Sequence, residues 1–210
     1  MAVMPRALTE RSLLPRVRAL AAGDPAIAAS VARFGPPPLW AREPTFATLV
    51  HLILEQQVSL DSALAAFERL RTALGEVTPA AFLSLDELAL RQIGFSRQKT
   101  GYARGLALAL MDGFDLGALA RLSDDGVRRE LMRLRGIGRW TADVYLTMCL
   151  LRPDVWPHGD QALATGAMEL LGLPERSSFD ELEALAERWR PLRAVAARVI
   201  WHHYLGVRGR

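Results

Sequence analysis

The chain has 210 residues, half of them hydrophobic and 23% charged, a balance that suits one large domain or two smaller lobes and argues against disorder. Its single cysteine, Cys149, excludes an intramolecular disulfide framework, a four-cysteine zinc site and a cysteine-ligated iron–sulfur cluster. No apolar run approaches the roughly 20 residues that span a bilayer, and the N-terminal twenty residues lack the apolar core of a secretory signal. A soluble cytoplasmic protein is the expectation.

Formal net charge is only +3, yet the isoelectric point is about 9.6 and nearly every cation is arginine. Lys99 is the only lysine, so a mechanism that needs a lysine amine has one candidate.

Strand signals are nearly absent, and Ala and Leu dominate, so the chain reads as all-α. A first helix is expected from Ser12 to about Leu20, and Asp24-Pro25 opens a second through Val31. The stretch Phe34-Gly35-Pro36-Pro37-Pro38 reads as a stiff linker. Pro44 and Thr45 then start a helix through about Gln56, with Phe46, Leu49, Val50 and Ile53 on one buried face and His51 off it. Further helices are predicted at Leu60–Leu74, Thr78–Phe82, Ser84–Arg91, Ser96–Met111, Ser123–Leu134 and Arg139–Leu151. Phe179–Trp189 and Pro191–Leu205 complete the set, with Pro191 at a helix start.

Between two of these helices lies Leu134-Arg135-Gly136-Ile137-Gly138-Arg139-Trp140-Thr141-Ala142-Asp143. Two glycines around an apolar residue allow a tight turn that presents backbone N–H groups and a helix N-terminus to an anion such as a DNA phosphate. Arg128, Arg129, Arg133, Arg135 and Arg139 surround it, with Glu130 as the nearby opposing charge. Taken alone, the segment is equally an ordinary helix junction with a solvated basic face.

Three further segments add specificity. Gln56-Gln57-Val58-Ser59 ends the apolar helix, and Asp154-Val155-Trp156-Pro157-His158-Gly159-Asp160 follows the hairpin. Then Trp189, Pro191, Arg193, Ala196 and Trp201 stand in W-x-P-x-R-x-x-A-x-x-x-x-W register. In this order the motifs resemble the helix-hairpin-helix (HhH-GPD) DNA glycosylases, most closely the 3-methyladenine DNA glycosylase II branch, over roughly residues 30–205. The resemblance implies two helical lobes, 1–43 with 155–210 and 44–154, the latter ending in the helix-hairpin-helix at about 123–151, with a DNA-binding cleft between them. It further implies a short form without the β-rich N-terminal domain of longer relatives.

Residue by residue, the resemblance carries the catalytic aspartate to Asp160. A carboxylate there would stabilise an oxocarbenium-like sugar and orient the attacking water; on the residues alone, Asp160 reads as the cap of a helix starting at Gln161, and both roles are compatible. Trp140 stands where bifunctional relatives carry a Schiff-base lysine, which implies a monofunctional enzyme. The family's base-stacking tryptophan falls on Trp201, with Trp140 at the pocket floor, and Trp189 reads as core. Gln161 replaces a tyrosine and Gln57 an apolar plug residue, pointing to a roomier, more polar pocket and a broad lesion range.

DNA contacts are expected from Gln57, Gly136, Ile137, Gly138, Arg139 and Thr141. The family's hairpin also implies a Na+ or K+ ion held by the backbone carbonyls of Met132, Leu134 and Ile137, and no other cofactor. The four histidines do not make a metal site among themselves; His158 reads as a residue of the site rim or an exposed loop. The expected partner of this monomer is double-stranded DNA containing damaged bases, which would associate it with the nucleoid. The alternative is a catalytically silent DNA- or damage-binding module, which has no evident reason to keep a carboxylate at position 160.

Overall fold

The computed structural model describes residues 7–210. The opening of the N-terminal stretch considered above lies outside the described residues. No strand occurs among them, and no helix is long and apolar enough to cross a membrane.

The helices, in chain order, are α1 (Glu10–Gly23), α2 (Pro25–Phe34), α3 (Phe46–Glu55), α4 (Leu60–Leu74), α5 (Pro79–Ser84), α6 (Glu87–Ile93) and α7 (Arg97–Met111). They continue with α8 (Leu116–Leu119), α9 (Asp124–Met132), α10 (Arg139–Val144), α11 (Gln161–Leu171), α12 (Phe179–Ala186) and α13 (Arg193–Val207). Most start at a Ser, Thr or Asp whose side chain accepts a first-turn amide, as Thr9, Asp24, Ser59, Ser123, Asp160 and Ser178 do. Two do not: α10 opens at Gly138 and α13 at Leu192, with no side-chain cap of their own.

The start of α13 differs from the sequence expectation. Pro191 lies ahead of the helix, which begins at Arg193. The reason is capping from a distance, because Asp154 Oδ1 accepts the Arg193 amide (3.2 Å) and the Pro153 carbonyl accepts the Ala194 amide (3.0 Å). The helix predicted over Arg139–Leu151 also changes character. It is α-helical only to Val144 and widens into a π-helical turn over Tyr145–Cys149. The two expected helices on either side of residue 84 shift to α5 and α6, and the four-residue α8, capped by Asp115, has no counterpart in the sequence reading.

The described residues divide into two compact units, those up to Ala41 with Leu146–Arg210, and Arg42–Tyr145. In the first, α13 is the central element: every residue from Ala194 to Trp201 is buried, so it is surrounded on all faces rather than one. Within that run lies one charge, Arg198, with no exposed surface. Its Nε donates to the Leu39 carbonyl (2.9 Å), its Nη1 to Ala194 (2.9 Å) and its Nη2 to Thr147 (2.5 Å). The π-helical turn leaves the Thr147 carbonyl available for this bond. Burial lowers the Arg198 pKa to about 10, and no ion pair forms there among the described residues.

A second anchor of this unit is Asp24. Its Oδ1 caps α2, while its Oδ2 accepts Arg188 Nε (3.0 Å) and Trp189 Nε1 (2.9 Å). Burial pushes its pKa up, but these hydrogen bonds outweigh it and hold the carboxyl below its ordinary value. Trp189 is 2% exposed, a core residue as its pattern suggests.

In the second unit α3 is buried on more than its predicted face, since Leu52, Leu54 and Glu55 are enclosed as well. Glu55 is compensated by Arg42, with Nη2–Oε1 at 2.8 Å. His51 is not a bystander on the outer face, because it stacks on Phe67 with centroids 4.5 Å apart.

Replacing Arg198 by Met should remove the cost of burying a charge but strand the Leu39 and Thr147 carbonyls, each worth about 1–3 kcal/mol. A net loss of about 2 kcal/mol is expected, read as a denaturation midpoint lowered by about 4–8 °C. An unchanged or raised Tm would show that these three bonds do not hold the unit together.

Candidate active site and nucleic-acid interface

In the second unit, α9 and α10 form the arms of a hairpin. Its turn depends on one glycine. Gly136 has φ +89°, and a Cβ there would sit 2.1 Å from the Tyr102 ring, so the backbone rests directly on that aromatic. Gly138 has an ordinary extended conformation, with nothing near its Cβ position. Ile137 between them is 4% exposed, so it can offer solvent or DNA only its backbone.

The two arms are clamped by a buried pair. Asp143 on α10 has a fully buried carboxylate, and Arg128 on α9 donates Nε to its Oδ1 at 2.6 Å. Burial alone would lower the Arg128 pKa; Asp143, and then Asp125, raise it above the usual value. Arg139 Nε stands 3.6 Å from Asp143 Oδ2, and Arg133 pairs with Glu130. The basic face is therefore smaller than the five arginines suggest. Asp125 and Asp143, beyond the segment where Glu130 alone opposes them, consume part of it. Arg129 and Arg135 are exposed and, among the described residues, enter no ion pair.

Gln56, at the end of α3, reaches into the same turn. Its Nε2 donates to the Gly136 carbonyl (2.9 Å) and to Thr141 Oγ1 (3.2 Å). Thr141 is 1% exposed, so its hydroxyl serves the hairpin internally. Gln57, by contrast, is exposed at the tip of the α3–α4 turn with φ +58°. Trp140 is half-buried in the first turn of α10. Lys99 Nζ donates to the Leu54 carbonyl at 2.7 Å, and burial lowers its pKa.

The first unit builds a carboxylate site. The stretch from Val155 to Gly159 is anchored by Trp156, whose ring lies 5.8 Å from that of Trp189, and delivers Asp160 to the start of α11. Asp160 Oδ1 accepts the Leu163 amide (2.7 Å) and Trp201 Nε1 (3.1 Å). These bonds require α11 and α13 to lie close, and Gly166 permits it: a Cβ there would stand 2.9 Å from the Ile200 carbonyl. Asp160 and Trp201 are thus brought together, while Gln161 is exposed on the first turn of α11. Asp160 does cap a helix, so folding alone supplies a reason for a carboxylate at this position.

Beside this loop, His158 Nδ1 lies 3.1 Å from Glu183 Oε2 and its Nε2 3.8 Å from Asp180 Oδ1. Ligand atoms of the three lie within 4.8 Å of one another, a grouping that counting histidines does not reveal. It ties the loop before Asp160 to α12.

At the hairpin the three carbonyl oxygens of Met132, Leu134 and Ile137 are neutral, hard donors, which suit a monovalent cation and not a thiophilic metal. The Leu134 carbonyl already accepts the Ile137 amide at 3.1 Å and keeps a second lone pair. The residues fit the ion.

Residues 50–191 match the HhH-GPD superfamily of base excision DNA repair proteins. The chain belongs to that family. It is 27% identical over 162 residues to the putative DNA-3-methyladenine glycosylase YfjP of Bacillus subtilis, covering 73% of this chain and 56% of that one. It is 28% identical over 165 residues to DNA-3-methyladenine glycosylase 1 of Schizosaccharomyces pombe, covering 76% and 72%. Among solved structures, S. pombe Mag1 in complex with abasic DNA superposes with a TM-score of 0.79 at 26% identity, covering 89% of this chain and 95% of that one. The chain thus spans little more than half of YfjP.

The sequence reading of this HhH-GPD chain missed three residues that organise the two units: Gln56, Asp143 and Arg198. Gln56 had a signal, since it stands beside Gln57 in the segment that ends α3. Asp143 stands at helical spacing from Arg139, but its closer partner Arg128 lies 15 positions away, and Arg198 had no signal because Leu39 and Thr147 are distant in sequence.

The two hairpin glycines should respond differently. Gly136→Ala forces both a disfavoured φ and a clash with Tyr102, and is expected to destabilise the protein by about 2 kcal/mol or more. Gly138→Ala should leave stability within about 0.5 kcal/mol. Chemical denaturation of the two variants side by side tests this, and equal losses would contradict the geometry.

Proposed function

We propose that the protein is a monofunctional DNA glycosylase that flips alkylated bases, of 3-methyladenine type, out of double-stranded DNA and hydrolyses their N-glycosidic bonds. The observation that carries this reading is the Asp160 carboxylate, fixed by the Leu163 amide and the Trp201 indole, in a chain of the HhH-GPD family. Departure of a base from C1′ leaves positive charge on the sugar. A carboxylate with one oxygen locked by two donors is already oriented, so little reorganisation is needed as that charge develops. The same group can orient the attacking water. Bases alkylated on ring nitrogens are cationic and leave readily, so no strong general acid is required.

The hairpin supplies sequence-independent grip. The α10 N-terminus, uncapped by any side chain, and the backbone of Gly136, Ile137 and Gly138 suit a phosphate. Arg129 and Arg135 add unpaired positive charge, and Arg139 adds a partly shared one. Thr141 contributes by holding the turn through Gln56. When bound, a monovalent cation on the Met132, Leu134 and Ile137 carbonyls supplies further attraction for a phosphate. Gln57, exposed on a tight left-handed turn, is positioned on its own element to probe the duplex, and Gln161 leaves the start of α11 polar. Both support a broad lesion range, in a monomer acting where DNA is.

Hydrolysis without strand cleavage is supported by the side chains at the two candidate positions. Trp140 cannot form an imine, and Lys99 is tied to the Leu54 carbonyl.

Asp160→Asn keeps the size and the capping acceptor but not the charge. It should reduce release of 3-methyladenine from methylated duplex by about 10²- to 10³-fold or more, with affinity for an abasic-site duplex retained. That affinity should fall as salt rises. Near-normal turnover by the folded variant would assign the wrong carboxylate, and absence of base release by the native protein would favour a silent binding module.

Borohydride added during turnover should trap no protein–DNA adduct, and the product strand should stay intact. An adduct that forms with native protein and vanishes with Lys99→Arg would overturn the monofunctional assignment.

A further inference from the structure

The loop that leads to Asp160 carries a second grouping of donors, where it meets α12. His158 Nδ1 lies 3.1 Å from Glu183 Oε2 and its Nε2 lies 3.8 Å from Asp180 Oδ1. One ligand atom from each of the three falls within 4.8 Å of the others. The two acids stand three positions apart on α12, so they share a face of that helix. Its rotation is fixed, because Leu182 and Ala186 are buried and Ser178 and Glu181 close a capping box at its start. The acids of the segment therefore divide by task. Glu181 turns back to Ser178, Glu187 holds Arg190 and Arg193, and Asp180 and Glu183 meet His158.

One imidazole nitrogen and two carboxylates are a donor set for a divalent first-row metal. The nitrogen separates it from a site for Mg2+ or Ca2+, which take oxygen ligands. The close pair has the spacing such an ion needs. An ion at the usual ~2.1 Å from a nitrogen and an oxygen would see these two, 3.1 Å apart, at about 95°, within the range of octahedral and tetrahedral coordination. His158 and Glu183 have side chains only 22% and 26% exposed, and the His158 ring rests 5.8 Å from that of Phe179. The third donor can adjust, because the Asp180 side chain is 91% exposed. Three protein ligands leave a further position for water. The set shares no residue with the hairpin carbonyls.

We propose that His158, Asp180 and Glu183 form a binding site for a divalent transition metal of the zinc class, and that the ion fastens the loop before Asp160 to α12. Its role is structural. The ion cleaves no bond; by linking residues 158 and 183 it restrains the backbone that presents the Asp160 carboxylate. The inference stands on these three side chains and needs no DNA, so it holds or fails separately from the glycosylase reading.

The test titrates chelator-treated native protein with Zn2+, followed by calorimetry, and with Co2+, followed by visible absorption. His158→Ala and Glu183→Gln should each weaken zinc binding by about 10- to 100-fold or more and remove the Co2+ absorption. Asp180→Asn, at an exposed side chain, should weaken binding by a smaller factor with the fold intact, so the site stays testable even where His158→Ala does not fold. Zinc at about 100 times its Kd should raise the native Tm by several degrees. It should also slow amide hydrogen exchange over residues 158–160 and in α12, and do neither in Glu183→Gln. Undiminished binding in all the folded variants would place the ion elsewhere and overturn the site. Absence of binding by native protein would overturn it too, leaving the cluster as an ion pair. Zinc binding without slower exchange would overturn the fastening role. Base release by native protein is read separately, and its failure would touch the glycosylase reading alone.

Discussion

A charged guanidinium with no exposed surface and no carboxylate partner is an unusual thing to place at the centre of a helical unit. Arg198 is tolerated because its donors are used on backbone carbonyls from three separate places: the proline-rich crossover, the first turn of its own helix and the π-helical turn. The Leu39 and Thr147 carbonyls belong to irregular backbone that the buried guanidinium supplies with a donor. The cation and the irregular segments therefore solve each other's problem. Much of the surrounding geometry then follows, including the departure from α-helical winding after Val144.

The hairpin unit is organised by a similar trade. Asp143 is a buried carboxylate in a region otherwise rich in arginine, and it holds Arg128 so that α9 and α10 keep a fixed angle of approach. The consequence is a division of labour among cations. Some serve the fold, while Arg129 and Arg135 stay exposed. The backbone of the turn is held by Gln56 and Tyr102, from the end of α3 and from α7.

The all-helical architecture was legible in the sequence because Ser, Thr and Asp caps, glycine stops and apolar spacing all agreed. The hairpin was legible only because Gly-Ile-Gly stands in order with the segments around Gln56, Asp160 and Trp201, and the same order pointed to the pairing of Asp160 with Trp201. What could not be read was everything decided by distant partners. Asp154 moves the start of α13 past Pro191, Arg198 accommodates the π-helical turn, and Asp143 withdraws Arg128 from the basic surface. His158 meets Asp180 and Glu183 only once α12 has packed.

Asp160 answers to two demands at once, since the oxygen that receives the Trp201 indole also starts α11. Drift at this position is therefore constrained twice over. A descendant that abandoned chemistry could keep aspartate purely as a helix cap, so the residue is a weak witness to activity when other genomes are surveyed. Substitution by serine or asparagine carries more information, because either preserves the helix start while giving up the charge. On the glycosylase reading proposed above, a lineage that had lost base release would be recognised by that exchange.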